Sequence, residues 1–171
     1  MFAPDVHFKD IYSVTAEYLK SRAVKAVVLD IDNTLVPYAT PVPTDGVRRW
    51  ISDMKNAGIK IVIASNNGKE RVGLFCSDLD VIQMYKSKKP LPFCIGRIKK
   101  EYGVEPKNVA VIGDQIFTDV LCAKFGGATA IHVTPINDKE NKFIRFKRLL
   151  ERPIISAYRK RHADEFTEEE K

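Results

Sequence analysis

The apolar run Ala26-Val27-Val28-Leu29 stops abruptly at two carboxylates, Asp30 and Asp32, followed by Asn33 and the hydroxyl of Thr34. Continuous apolar runs mark parallel strands covered on both faces, and open α/β sheets bind ligands beyond the carboxyl ends of such strands. Residues two apart project to the same side of a strand as it unravels. Carboxylates so close repel each other unless a cation lies between them or one keeps a proton. The spacing therefore predicts a metal at a strand end.

The rest of the chain repeats the pattern. Ile11 to Lys20 reads as a short helix with Ile11, Val14, Tyr18 and Leu19 turned inward. Thr44 or Asp45 caps a helix whose apolar face is Val47, Trp50, Ile51 and Met54, ended by Gly58. Ile59 to Ala64 is a second buried strand that runs into Ser65-Asn66-Asn67-Gly68, small polar residues able to offer hydroxyl and N–H groups to an anion. A helix over 70–77 and a short strand over 81–85 lead to Lys86-Ser87-Lys88-Lys89-Pro90. A helix over 92–102 follows, with Phe93, Ile95 or Gly96, Ile98 and Tyr102 near one face. The strand 108–112 ends in Gly113-Asp114-Gln115-Ile116-Phe117-Thr118-Asp119, and a helix over 117–125 leads to a fifth strand at 128–133. Strand and helix alternating at this spacing predict a three-layer α/β/α sandwich around a mainly parallel, five-stranded, Rossmann-like sheet.

At 171 residues, 44% of them hydrophobic and 29% charged, the chain has the makeup of one globular domain. No apolar run reaches the ~20 residues of a membrane span, and the N-terminus lacks the pattern of a signal peptide, which predicts a cytoplasmic protein. Cys76, Cys94 and Cys122 form no C-x-x-C pair and read as reduced core thiols; His7, His132 and His162 are equally scattered along the sequence. The net charge of +6 belongs to one segment: 139–161 holds nine Lys or Arg against Glu140 and Glu151, or +7, which leaves −1 for the rest of the chain. There Phe143, Phe146, Leu149 and Leu150 fall at helical spacing with Arg145, Lys147 and Arg148 on other faces. Two readings stay open: a last helix packed on the sheet, or a basic amphipathic helix in peripheral contact with an anionic membrane at its inner face. Few aromatics interleave with this charge, so no nucleic-acid partner is expected. The acidic stretch 163–171 reads as a disordered tail.

Four groups thus follow four strand regions: Asp30 and Asp32, Ser65 and Asn66, Lys88 or Lys89, then Asp114 and Asp119. Asp-x-Asp-x-Thr after a strand, a strand ending in Ser65, the Lys89-Pro90 pair and Gly-Asp-x-x-x-x-Asp resemble the four motifs of the haloacid dehalogenase superfamily, across residues 25 to 133. Ala-Ser-Asn-Asn, Lys-Lys-Pro-Leu-Pro and Gly-Asp-Gln-x-x-Thr-Asp make the chain look like the YqeG family of subfamily IIIA, which is similar to phosphatases acting on phosphatidylglycerophosphate.

The resemblance implies a magnesium-dependent phosphomonoester hydrolase working through an aspartyl phosphate. Asp30 would be the nucleophile, and Asp32 the acid and then the base. Mg2+ would be held by Asp30, the backbone carbonyl of Asp32, and Asp114. Ser65, backbone N–H groups around Asn66, and Lys89 would bind the phosphoryl oxygens, with Thr34 and Asp119 supporting from behind. Neither the stretch 34–44 nor the stretch 72–89 has room for a cap domain, so the site would be open, as suits a lipid-borne or otherwise large substrate or a lid supplied by a partner. A phosphatase of a soluble sugar phosphate and a non-catalytic phosphate-binding or scaffolding domain are the alternatives. The expected organisation is one domain over 1–171, with its core at 25–133 and the basic segment at 139–161.

Overall fold

The computed structural model describes residues 2–136 and 142–162, and from the last helix it describes side chains from Leu149 onward. Strands β1 (Val6–Phe8), β2 (Ala26–Leu29), β3 (Lys60–Ala64), β4 (Ile82–Met84), β5 (Val109–Gly113) and β6 (Thr129–Val133) form one sheet. The helices are α1 (Ala16–Ser21), α2 (Asp45–Asn56), α3 (Lys69–Phe75), α4 (Phe93–Tyr102), α5 (Leu121–Gly126) and α6 (Lys142–Arg161). Every strand pair is parallel, in the order β1-β6-β5-β2-β3-β4.

Side-chain alternation along the central strands builds a core on each face. Val27, Leu29, Ile61, Ile63 and Ile112 pack with Val47, Trp50, Ile51 and Met54 of α2, with Leu19 of α1 and with Val72 and Phe75 of α3. On the other face Ala26, Val28, Val62, Val109 and Val111 pack with Cys94, Ile95 and Ile98 of α4 and Cys122 and Ala123 of α5. All four residues of β2 are fully buried. Each such Val or Leu stabilises the fold by about 1.5–3 kcal/mol, which explains an apolar run with no polar face.

The sheet has six strands, one more than the sequence predicts. The extra strand, β1, is three residues at an edge, too short to show a period. Asp5 pins it: its N–H donates to Ala130 O at 2.9 Å, and its carboxylate accepts from Ala130 N at 2.8 Å. The helix expected over Ile11 to Lys20 is two pieces, a 3-10 turn Ile11–Ser13 capped by Asp10 and α1 capped by Thr15. On α4 the buried face is Cys94, Ile95 and Ile98, while Phe93 is 55% exposed, contrary to the face expected from spacing. Phe93 falls on the solvent face of the helix with Gly96, Arg97 and Lys100, while Cys94 and Ile95 of the same turn face the sheet. Thr44 caps α2 through Val47 N, as its sequence suggests.

Between β2 and α2 the chain makes a tight loop and a short flap, and 76–81 alone joins α3 to β4; no cap domain is inserted. The strand order sets the carboxyl ends of β5, β2, β3 and β4 side by side. Asp114, Asp30, Ser65 and Lys89 follow those ends in that order, on loops not covered by an added domain.

α6 packs back on the molecule. Glu151 and Tyr158 are buried, Ile154 and Ile155 lie against the second core, and Leu149 and Leu150 are exposed. Side chains of Phe143, Arg145, Phe146, Lys147 and Arg148, and the stretch 163–171, lie outside the described residues. All three cysteines are buried free thiols, with Cys94 Sγ 3.4 Å from Cys122 Sγ between α4 and α5. Among the described residues no helix is long and apolar enough to cross a membrane.

Candidate active site

The loop after β2 turns sharply. Leu35 N–H donates to Ile31 O at 2.9 Å and Asn33 N–H to Val36 O at 2.7 Å. Asn33 takes φ 61°, a left-handed conformation that asparagine tolerates better than most residues. This turn sends the two neighbouring carboxylates to different partners.

Asp30 lies among buried charges. Its Oδ1 is 2.7 Å from Lys89 Nζ, which is also 2.7 Å from Asp119 Oδ1. Carboxylate oxygens of Asp30, Asp114 and Asp119 all lie within 4.8 Å of one another. Burial pushes the Asp30 carboxyl up to about 8; Lys89 opposes the shift, while Asp119 and Asp114 add to it. Burial alone would lower the Lys89 pKa, but the carboxylates of Asp119 and Asp30 hold it above the ordinary lysine range, so it is a permanent cation. Three buried carboxylates thus face one ammonium, an arrangement short of positive charge. Hard oxygen donors at this spacing fit a divalent cation such as Mg2+.

Asp114 is fully buried and fixed from two sides. Thr34 Oγ1 donates to its Oδ1 at 2.8 Å, and His132 Nε2 meets its backbone carbonyl at 3.0 Å. Because a carbonyl only accepts, Nε2 carries the proton; Nδ1 of neutral His132 then accepts from His7 Nδ1–H, 2.7 Å away. Burial, then the charge of Arg159, pulls the His7 pKa down to about 4, so His7 stays neutral. His7 and His132, far apart in the sequence, thus meet behind the site on the edge strand β1 and its neighbour β6.

Asp119 reaches the cluster because Ile116–Val120 winds as a turn of π-helix, with Val120 N–H donating to Gln115 O across five residues. A Cβ at Gly113 would stand 2.2 Å from Asp119 Cγ, so glycine is what lets that carboxylate lie against the end of β5. The fully buried Glu151 of α6 accepts from Phe117 N–H at 3.1 Å, staking the last helix to this turn.

Asp32 is outside the three-carboxylate group. Arg71 Nη2 and Nε lie 2.8 and 3.2 Å from its Oδ1, and Asn67 Nδ2 lies 2.6 Å from its Oδ2. What Asp32 has left to offer a cation is its backbone carbonyl, the atom the sequence reading used. Asp119, read as a supporting residue, has its carboxylate inside the group.

The Asn66 side chain faces the lysine loop. Its Oδ1 accepts from Lys89 N–H at 2.9 Å and Ser87 Oγ at 3.0 Å, and its Nδ2 donates to Lys89 O at 2.9 Å. Ser65 Oγ accepts from Asn67 N–H at 3.1 Å. Lys88 is exposed while Lys89 is buried, which decides between the two lysines. Sequence reasoning missed Asn67, Arg71, Ser87 and Glu151. Only Glu151 carried a signal, as an acid in a strongly basic stretch.

A parallel sheet with buried carboxylates, a hydroxyl and a lysine at the ends of successive strands is that of a phosphatase of the haloacid dehalogenase type. Residues 1–136 match the family described as mitochondrial PGP phosphatase, and the chain belongs to that family. It is 38% identical to the "Probable phosphatase YqeG" of Bacillus subtilis over 94% of this chain and 93% of that one. It is 28% identical to the mitochondrial phosphatidylglycerophosphatase of Saccharomyces cerevisiae over 72% of this chain and 78% of that one. Among solved structures it resembles the cobalt-bound deoxy-D-mannose-octulosonate 8-phosphate phosphatase of Haemophilus influenzae, with a TM-score of 0.54 and 18% identity over 67% and 70% of the two chains. At that identity the likeness is one of fold.

Proposed function

We propose that the protein is a Mg2+-dependent phosphomonoester hydrolase that works through a phosphoryl group carried on Asp30, with phosphatidylglycerophosphate as substrate. The observation that carries the reading is the buried group of Asp30, Asp114 and Asp119 gathered around Lys89. Support for the lipid comes from the family description and from the yeast relative.

In this reading Asp30 attacks phosphorus in line and the P–O bond to the lipid alcohol breaks, with Asp32 delivering the proton the departing oxygen needs. Water then attacks the phosphoaspartate; Asp32 takes its proton, and inorganic phosphate and free Asp30 result. Lys89 and the Ser65 hydroxyl, both buried at the strand ends, hold the phosphoryl oxygens. Thr34 and His132 keep Asp114 fixed. Asp30, Asp114 and the Asp32 carbonyl would hold Mg2+, which would supply charge neutralisation for the attack on phosphate. Asp119 holds Lys89 in line with Asp30.

The same reading makes the whole chain one catalytic unit in the cytoplasm, meeting the inner membrane face through α6. Leu149 and Leu150 are exposed there, with Arg152 beside them in the chain and Lys160 and Arg161 exposed at the far end of the helix. Phosphate release from phosphatidylglycerophosphate in anionic vesicles, compared with glycerol 3-phosphate and p-nitrophenyl phosphate, tests it. The expected result is fastest release from the lipid, stopped by chelation, and slowed on vesicles by salt that screens surface charge. Preference for a soluble ester would remove the lipid substrate, and no release from any of the three would overturn the enzyme reading.

A further inference from the structure

Arg71, in the first half of α3, joins two parts of the site, the Asp32 carboxylate and the flap. Its Nε and Nη2 hold Oδ1 of Asp32, and its Nη1 donates to Pro41 O in the flap at 2.9 Å. The Arg71 and Asp32 side chains are only 19% and 11% exposed, so water competes weakly for the pair. The guanidinium also lies over the Phe75 ring, 5.7 Å from its centroid, which limits its swing. With Asn67 on Oδ2, both oxygens of Asp32 have fixed partners.

Each of the three guanidinium nitrogens thus donates to the carboxylate or the flap. None of the contacts of Arg71 is with Asp30, Asp114, Asp119 or Lys89. A guanidinium so committed is not arranged to bind phosphate; it is arranged to set where one carboxylate stands. We infer that Arg71 is the positioning residue of proton transfer, holding Asp32 at a fixed place relative to the flap under which the leaving alcohol departs. The inference rests on the proposed reaction, in which Asp32 moves the proton.

Leaving-group chemistry separates this role from phosphate binding or general support. An alkyl ester must be protonated as it leaves, whereas p-nitrophenolate leaves without a proton. kcat/KM is the quantity to read, because it covers events through loss of the leaving group and excludes the later hydrolysis of the phosphoaspartate. For Arg71→Met, kcat/KM on phosphatidylglycerophosphate, or on glycerol 3-phosphate if that is turned over, should fall about 100-fold, the scale of general acid catalysis. On p-nitrophenyl phosphate it should fall less than about threefold. Asp32→Asn should show the same selectivity, and adding Arg71→Met to it should cost little more, as expected of residues acting as one unit.

Arg71→Lys keeps the charge but not the planar fork, should retain the fold, and should show the same selective loss. Equal losses on the two esters in a folded Arg71 variant would overturn the inference and leave the phosphatase reading standing. Wild-type protein that turns over neither ester would overturn the phosphatase reading, and the inference with it.

Discussion

At the scale of single residues, the chemistry hangs on how charge is shared between Asp30, Asp114, Asp119 and Lys89. Asp30 has a raised pKa in the folded protein, about 8 against 3.8 unfolded. Between those values the folded state holds the proton more tightly than the unfolded state does. The contribution of Asp30 to stability is therefore full below the unfolded pKa and is lost as pH rises through about 8. A bound cation reverses the penalty by favouring the carboxylate. Thermal unfolding with and without Mg2+ should show a larger rise in Tm at pH 8.5 than at pH 5, and Asp30→Asn should shrink that difference. An Mg2+ effect equal at both pH values would argue against Asp30 as the group that meets the cation. Asp30, Asp32 and Asp114 were legible from the chain because each follows an apolar strand. Arg71 and Asn67 were not, because a pairing across 39 or 35 residues leaves no trace in local periodicity.

At the scale of elements, the π-turn after β5 and helix α6 are tied by the hydrogen bond that Phe117 N–H donates to Glu151 Oε1. Glu151→Leu leaves that donor without its partner, which costs about 1–3 kcal/mol. It should also lower turnover, because the turn carries Asp119. Glu151→Gln keeps the acceptor and should cost less in both. Denaturant unfolding of the two variants, beside their kcat, checks the link; equal stability of both with wild type would show that the contact does not hold the turn. Periodicity gave α2 almost residue by residue, since a long amphipathic helix repeats its apolar face. It failed on β1 because three edge residues held by Asp5 cannot show a repeat. It failed on Phe93 because that residue falls on the face of α4 that carries Arg97 and Lys100, opposite Cys94, Ile95 and Ile98.

At the scale of the whole molecule, the fold uses an all-parallel sheet to gather groups that lie far apart in the chain at one edge. The alternation of strands and helices made that gathering readable in advance, while the sixth strand, the histidine pair behind Asp114 and the anchoring of α6 depended on contacts that form only on folding. The absence of a cap leaves the strand ends open, and α6 packs beside the turn after β5 with the buried acid Glu151 at the contact.

The central claim is that Asp30 carries the phosphoryl group. Acid quenching during turnover of 32P-labelled substrate, followed by peptide mapping, measures this directly. The account predicts acid-stable, hydroxylamine-labile label on the peptide containing Asp30, absent in Asp30→Asn. Label on another residue, or full turnover by Asp30→Asn, would contradict it.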